Sequence, residues 1–166
     1  MVAPIAVDGR LPRRVRRSAP ALWVLGAHGG AAETTIAATL RDASACEHAW
    51  PSGPGVQAPV LLTARTTMAG LRAVQRALAD WASGQTGVRL AGVVLVADAP
   101  GHLPRHMSVV VATLESTAPK LWRLPWSAAW RASEAPDTTS AERRLGKALA
   151  DLAGELNLPL DEPSPE

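Results

Sequence analysis

The stretch Ala21-Leu22-Trp23-Val24-Leu25-Gly26-Ala27-His28-Gly29-Gly30-Ala31-Ala32-Glu33-Thr34-Thr35 decides the fold. Five apolar residues in a row suit a short buried strand, and the glycines that follow demand a tight backbone turn. From Thr34 to Ala45 the composition favours a helix. Strand, glycine loop and helix in that order form the frame of a phosphate-binding loop. Its GxxxxGK[ST] spacing uses backbone N–H groups to cradle phosphates, a lysine to neutralise them and a hydroxyl to hold magnesium. Here the frame opens at Gly26, but Ala32 stands at the second glycine, Glu33 at the lysine and Thr34 at the hydroxyl.

The exchange of lysine for Glu33 is electrostatically large. Two unit charges ~4 Å apart interact by ~4 kcal/mol at an effective dielectric of about 20, so an attraction becomes a repulsion of similar size. Tight triphosphate binding is therefore not expected, and hydrolysis, which depends on cations around the transferred group, should suffer further. A second reading of Glu33 is structural, since an acid in the first turn of a helix is favoured by the macrodipole. His28 also has two readings, a cationic imidazole restoring part of the lost charge or a solvent-facing loop residue.

Outward from the loop, strand and helix signals alternate. Strands are expected over 59–64, 92–97 and 120–124, and helices over 67–83, 105–116, 127–133 and 140–156, with 50–59 a proline- and glycine-rich loop. The run at 92–97 is apolar on both faces and belongs in the middle of a sheet. Alternation of this kind predicts an α/β fold: a small three-layer parallel sheet of about four strands with flanking helices, P-loop NTPase-like and truncated. One domain is expected over 20–157, with a flexible tail over 158–166. Thr66 or Thr67 should cap the second long helix. Trp122, Trp126 and Trp130 read as core and rim packing, because Pro125 prevents a continuous helix through all three.

Composition narrows the class. The chain has 166 residues, 47% of them hydrophobic and 19% charged, as in ordinary globular domains. A single cysteine, Cys46, excludes an internal disulfide and fits a reducing compartment, so a cytoplasmic location is expected. No apolar run approaches the ~20 residues that span a bilayer. The net charge of +2 hides a split, for Arg10, Arg13, Arg14, Arg16 and Arg17 crowd the first 20 residues. That leaves 12 of the 17 basic and 14 of the 15 acidic residues to the remainder, a slightly acidic body. Residues 1–19, punctuated by prolines, read as a disordered basic arm. It is either a solubilising tail or an electrostatic contact with nucleic acid or an anionic surface, Arg13, Arg14, Arg16 and Arg17 being the candidates for nucleic acid.

The segment from His28 to Thr35 resembles the deviant Walker loop KGGxGKTT of the MinD/ParA group of P-loop ATPases. In that alignment the signature lysine falls on His28 and the Walker lysine on Glu33. The strand near Val60 with Arg65, Thr66 and Thr67, the run Gly92 to Val96, and Leu124-Pro125-Trp126 resemble later elements of the same group. Two strands bearing Asp-x-Asp and Asp-x-Pro are missing between the loop helix and Val60. In a rival alignment, Val96 to Gly101 is itself the magnesium and switch turn, with Asp98 as its acid. The chain is also similar to an uncharacterised family of small actinobacterial proteins found near mobile-element and conjugation-type genes. The resemblance implies a degenerate nucleotide or phosphate loop made of Gly26, His28, Gly29, Gly30, Glu33, Thr34 and Thr35.

Three functions follow as expectations. The first is a non-hydrolysing adaptor or regulatory module whose protein partners belong to DNA-transfer or partition machinery, with no catalytic residue, no resident metal and no certain cofactor. The second is an unusual nucleotide-binding ATPase or GTPase that holds ATP or another nucleotide with magnesium through the glycine loop and Asp98. The third is a nucleic-acid accessory protein working through the arginine arm, with affinity that falls steeply with salt. Pairing Cys46 and His48 with His102 and His106 as zinc ligands has little support from their spacing.

Overall fold

In the computed structural model the described residues are 9–54, 56–132 and 140–161. In chain order the elements are β1 (Arg13–Val15), β2 (Leu22–Gly26), α1 (Glu33–Thr39), β3 (Ala43–Ala45), β4 (Trp50–Ser52) and β5 (Val60–Arg65). They continue with α2 (Met68–Ala82), β6 (Leu90–Val96), α3 (Arg105–Thr117), β7 (Leu121–Leu124), α4 (Ala128–Ala132) and α5 (Ser140–Leu156). β2 and β5 are buried along their whole length, as the uninterrupted apolar runs demand of central parallel strands.

The main sheet has five parallel strands in the order β3-β2-β5-β6-β7. Successive side chains of a strand point to opposite faces, so each strand feeds two cores. Trp23, Leu25, Leu62, Val93 and Leu95 pack against Leu71, Val74 and Leu78 of α2 and Met107, Val111 and Leu114 of α3. Leu22, Val24, Leu61, Val94 and Val96 pack against Ile36 and Ala37 of α1 and Leu145, Leu149 and Leu152 of α5. The result is helix, sheet and helix in three layers.

The connections explain where a ligand site can form. From β2 the chain crosses through α1 to β3 on one side. From β5 it crosses through α2 to β6 and through α3 to β7 on the other. Parallel crossovers keep one hand, so the opposite directions place α1 on one face and α2 with α3 on the other. The direction reverses between β2 and β5. At such a switch point the loops leaving the strands' C-terminal ends splay apart and leave a crevice.

Several expectations need correction. The sheet has five strands rather than four, because Ala43–Ala45 is a three-residue strand too short to leave a periodic signal. The helix expected over 34–45 ends at Thr39, with the chain turning through Asp42 at φ 59° into β3. The 50–59 loop contains β4, which pairs in parallel with β1. In the expected loose arm, Arg13–Val15 is therefore a paired strand; residues 1–8 lie outside the described residues. The tail is tied down as far as Asp161: Leu160 bridges Leu40, and the Asp161 N–H donates to the Thr39 carbonyl at 2.9 Å. The helix expected over 127–133 begins at Ala128, its last residue lying outside the described ones, and α5 runs from Ser140 to Leu156 as expected. Among the described residues no helix is long and apolar enough to cross a membrane.

Candidate functional site

The glycine loop leaves β2 at Gly26 and reaches α1 at Glu33, and what closes it is Glu33 itself. The carboxylate is 5% exposed and turned back beneath the loop, away from solvent. Its Oε2 accepts from the Gly26 N–H at 3.0 Å and from the His48 N–H at 3.2 Å. His48 Nδ1 lies 2.9 Å from the same oxygen and 3.0 Å from the Gly26 carbonyl. Both neighbours are acceptors, so Nδ1 carries the hydrogen. A Cβ on Gly26 would stand 2.6 Å from Glu33 Oε2 and 2.8 Å from the His48 ring, so a side chain at position 26 would break the clasp.

His48 reaches Glu33 from a strained turn. Glu47 and His48 have φ of 54° and 53°, and the Ala49 N–H donates to the Cys46 carbonyl across them at 3.3 Å. Left-handed backbone at a non-glycine residue costs ~1–2 kcal/mol and persists only where the surroundings hold it. The surroundings here are β1 and the residue that follows it: Arg14 pairs with Glu47, Arg16 lies 3.6 Å from the same carboxylate, and the Arg16 guanidinium also donates to the Cys46 carbonyl. Arg16 further stacks 5.7 Å above the Trp23 ring. Burial pushes the Cys46 thiol well above its ordinary range, the nearby Glu33 charge adding to the effect, so this cysteine is an inert core residue.

On the opposite wall the loop is joined to β5. The Arg65 N–H donates to His28 Nε2 at 3.0 Å, and His28 Nδ1 faces the Gly29 carbonyl at 2.7 Å. A nitrogen that accepts carries no proton, so both ring nitrogens are assigned and the imidazole is neutral. Of the two readings of His28, this hydrogen bonding gives no support to the cation. The Arg65 side chain is 9% exposed and bends over the loop, its Nε 3.2 Å from the Gly30 carbonyl and its Nη1 3.3 Å from the Ala97 carbonyl. α2 presses onto this joint at Gly70, where an added Cβ would lie 2.2 Å from the Arg65 carbonyl and 2.9 Å from His28 Nε2. Thr67 caps that helix, accepting from the Gly70 N–H at 3.0 Å.

Above the switch point lies a cavity of about 610 Å³. It gathers His28, Gly29, Gly30, Glu33, Thr34 and Thr35 from the loop with Asp98 from the far side, together with Arg65, Thr67, His48 and Trp130. A second cavity of about 750 Å³ opens over the ends of β6 and β7 and shares Thr67 and Asp98 with the first. Asp98 is placed by its own N–H, which donates to Thr66 Oγ1 at 3.0 Å. Gly26 forms the base of the loop outside the cavity lining.

With this geometry in place, comparison with known families gives one match. The family of unknown function DUF6668 aligns with residues 20–146, more than half of the chain. The chain belongs to the DUF6668 family. No curated protein and no solved structure matches it. The DUF6668 region runs from just before β2 into α5 and so holds the glycine loop, both cavities and the clasp, while β1 with its arginines precedes it.

For this DUF6668 chain the glycine-loop residues and Asp98 proposed from sequence do meet in one place. The arginines do not join them. Arg14 and Arg16 are engaged with Glu47, while Arg13 and Arg17 are exposed away from the cavity, so the arm offers fewer open cations than its composition suggested. Among the described residues no three His, Cys, Asp or Glu side chains gather as metal ligands. The sequence reading did not bring Arg65, His48 or Trp130 to the loop: Arg65 entered through the family resemblance, His48 as a zinc-ligand candidate and Trp130 as packing, and all three line the cavity. Arg65 carried one usable signal, a charged residue ending an otherwise apolar strand at its C-terminal edge.

Proposed function

We propose that this protein is a non-hydrolysing P-loop-like module that works by binding, as an adaptor or regulatory component of DNA-transfer or partition machinery. The observation that carries the reading is the inward Glu33. The position where a Walker loop would present its lysine holds a carboxylate committed to the Gly26 N–H and His48, so the loop is held shut by its own side chain. A triphosphate with magnesium does not fit the donor set. Arg65, the cation nearest the loop, directs its N–H groups at the Gly30 and Ala97 carbonyls, and Glu33 and Asp98 both bring negative charge. The resemblance of His28–Thr35 to the MinD/ParA loop supports the partition-type setting.

The test is magnesium-dependent turnover of ATP and GTP by the parent protein and a Gly29→Pro variant. The expected result is no release of phosphate above the variant's level. Turnover that the variant loses would overturn the proposal. One observation supports a second reading, an unusual nucleotide enzyme: Asp98 shares the cavity with Thr34 and Thr35, a pair of ligand types suited to magnesium. That reading requires Asp98→Ala to abolish an activity that the parent shows.

A further inference from the structure

We infer that the outer surface formed by the arm and α2 binds the phosphodiester backbone of a nucleic acid, through Arg10, Arg13 and Arg17 of the arm together with Arg72 and Arg76 of α2. The glycine loop takes no part in it. The inference names a partner for the binding module proposed above and does not depend on what the loop holds.

Two local periods turn these arginines outward. Alternate residues of an extended chain share a face, so Arg14 and Arg16 turn in to Glu47 and Cys46 while Arg13, Val15 and Arg17 face solvent. Residues four apart on a helix share a face, and α2 exposes Arg72 and Arg76 while Leu71, Val74 and Leu78 enter the core. The fold sets the two surfaces side by side. Leu11 and Trp50 pack in the same core as Leu71 and Val74, so β1 and β4 cover the face of the sheet that α2 covers. The arm touches the helix directly, the Arg76 Nε donating to the Gly9 carbonyl at 3.3 Å with Arg10 next along the chain.

The positive charge of this surface is not spent inside the fold. Among the described residues none of the five arginines forms an ion pair. The described acids set beside them are Glu47, which Arg14 and Arg16 outnumber, Asp80 on α2, and Asp42, which shares a cleft with Ser18. Even with Asp8, which lies outside the described residues, seven arginines face four acids.

The kind of charge and its spacing select the partner. Every one of these cations is a guanidinium, whose planar fork meets phosphate oxygens two at a time. Arg13 and Arg17 stand about 13 Å apart along an extended chain, and Arg72 and Arg76 about 6 Å apart along a helix. Cations spread in this way suit a polymer that carries charge at regular intervals better than a single anionic group. A surface that sits on a membrane sets large apolar side chains among its cations, and here Val15 is the one exposed large apolar residue of the described part. Backbone phosphates carry no sequence information, so the binding is indifferent to base order.

Fluorescence anisotropy of the full chain with a labelled duplex DNA of mixed sequence, and with the matching duplex RNA, measures the binding across a salt series from about 50 to about 200 mM. On DNA, five phosphate contacts give a slope of log K against log salt of about −4.5, a loss of roughly 500-fold over that range. Arg13→Glu/Arg17→Glu and Arg72→Glu/Arg76→Glu should each weaken binding at least about tenfold and take about 2 from the slope, with the fold kept by far-ultraviolet circular dichroism. Arg144→Glu/Lys147→Glu makes the same change of charge on α5, at the opposite face of the sheet, and should bind within about twofold of the parent. Preference for the DNA or the RNA duplex identifies which nucleic acid supplies the backbone, and either supports the inference. It is overturned by an absence of salt-dependent binding, by an α2 pair that binds as the parent does, by an α5 pair that weakens binding equally, or by tighter binding to phosphatidylserine vesicles than to both duplexes. Turnover at the loop alters none of these outcomes, so this inference and the non-hydrolysing reading can each fail alone.

Discussion

Removing the Glu33 carboxylate is the sharpest perturbation of the loop. In Glu33→Ala the buried Gly26 N–H loses its acceptor at 3.0 Å, and the His48 N–H loses one at 3.2 Å. A stranded buried donor costs about 1–3 kcal/mol and the half-exposed His48 less, so the total loss is about 2–4 kcal/mol. For a domain of this size each kcal/mol lowers the melting temperature by about 2–4 °C, giving a fall of about 4–16 °C. Glu33→Gln keeps an acceptor oxygen in place and should cost only about 1 kcal/mol. Urea melts of the parent, Glu33→Ala, His48→Ala and the double variant complete a cycle, in which side chains sharing one hydrogen-bond network couple by at least about 0.5 kcal/mol. Additive effects, or a Glu33→Ala variant within about 0.5 kcal/mol of the parent, would refute the clasp. Glu33→Lys separates the clasp from the electrostatic account. If position 33 faces inward, the lysine destabilises the fold and restores no triphosphate affinity; a gain in ATP binding would show that the side chain reaches the cavity.

Three further outcomes follow from local geometry. Ala32 sits at φ 61°, so Ala32→Gly should raise stability by about 0.5–1 kcal/mol in a urea melt, since glycine relieves the left-handed strain at some entropic cost in the unfolded chain. Gly70→Ala should cost about 3 kcal/mol or abolish folding, because its Cβ meets the immobile Arg65 carbonyl at 2.2 Å; a normal melting temperature would show that α2 does not press on the loop. Cys46 titrates at an ordinary 9.0 when unfolded and higher when folded. Above that pH the unfolded state has released a proton that the folded state keeps, so stability present below pH 9.0 declines as pH rises, by up to about 1.4 kcal/mol per pH unit. Cys46→Ala should remove that part of the alkaline slope, and identical slopes in the two proteins would contradict the buried thiol.

Much of the scaffold was legible because its signals are local. The apolar runs near Leu22, Val60 and Val93 and the amphipathic segments that became α2, α3 and α5 each bury a face set by residues adjacent along the chain. Their alternation implied a parallel sheet. A glycine-rich turn after the first long strand also marked where a site would lie, because backbone conformation there depends on the glycines themselves. Within the site, Gly29, Gly30, Thr34, Thr35 and Asp98 were named in advance and share a cavity.

Tertiary structure decided what that site is made of. The three-residue strands β1, β3 and β4 are too short to carry a periodicity and exist through their partners. The direction of Glu33 depends on His48, 15 residues away, and His48 on a turn braced by Arg14 of β1 and by Arg16 just beyond it. Sequence alone showed a carboxylate in place of a cation and implied repulsion toward a ligand; folding turned that carboxylate inward onto a backbone N–H. Arg65 and the neutral state of His28 were likewise set by register between β2 and β5, where Gly26 lies opposite Thr63 and the following residues converge. A residue's type is written in the sequence, but the direction of its charge is fixed by partners that only the packed sheet brings within hydrogen-bond reach.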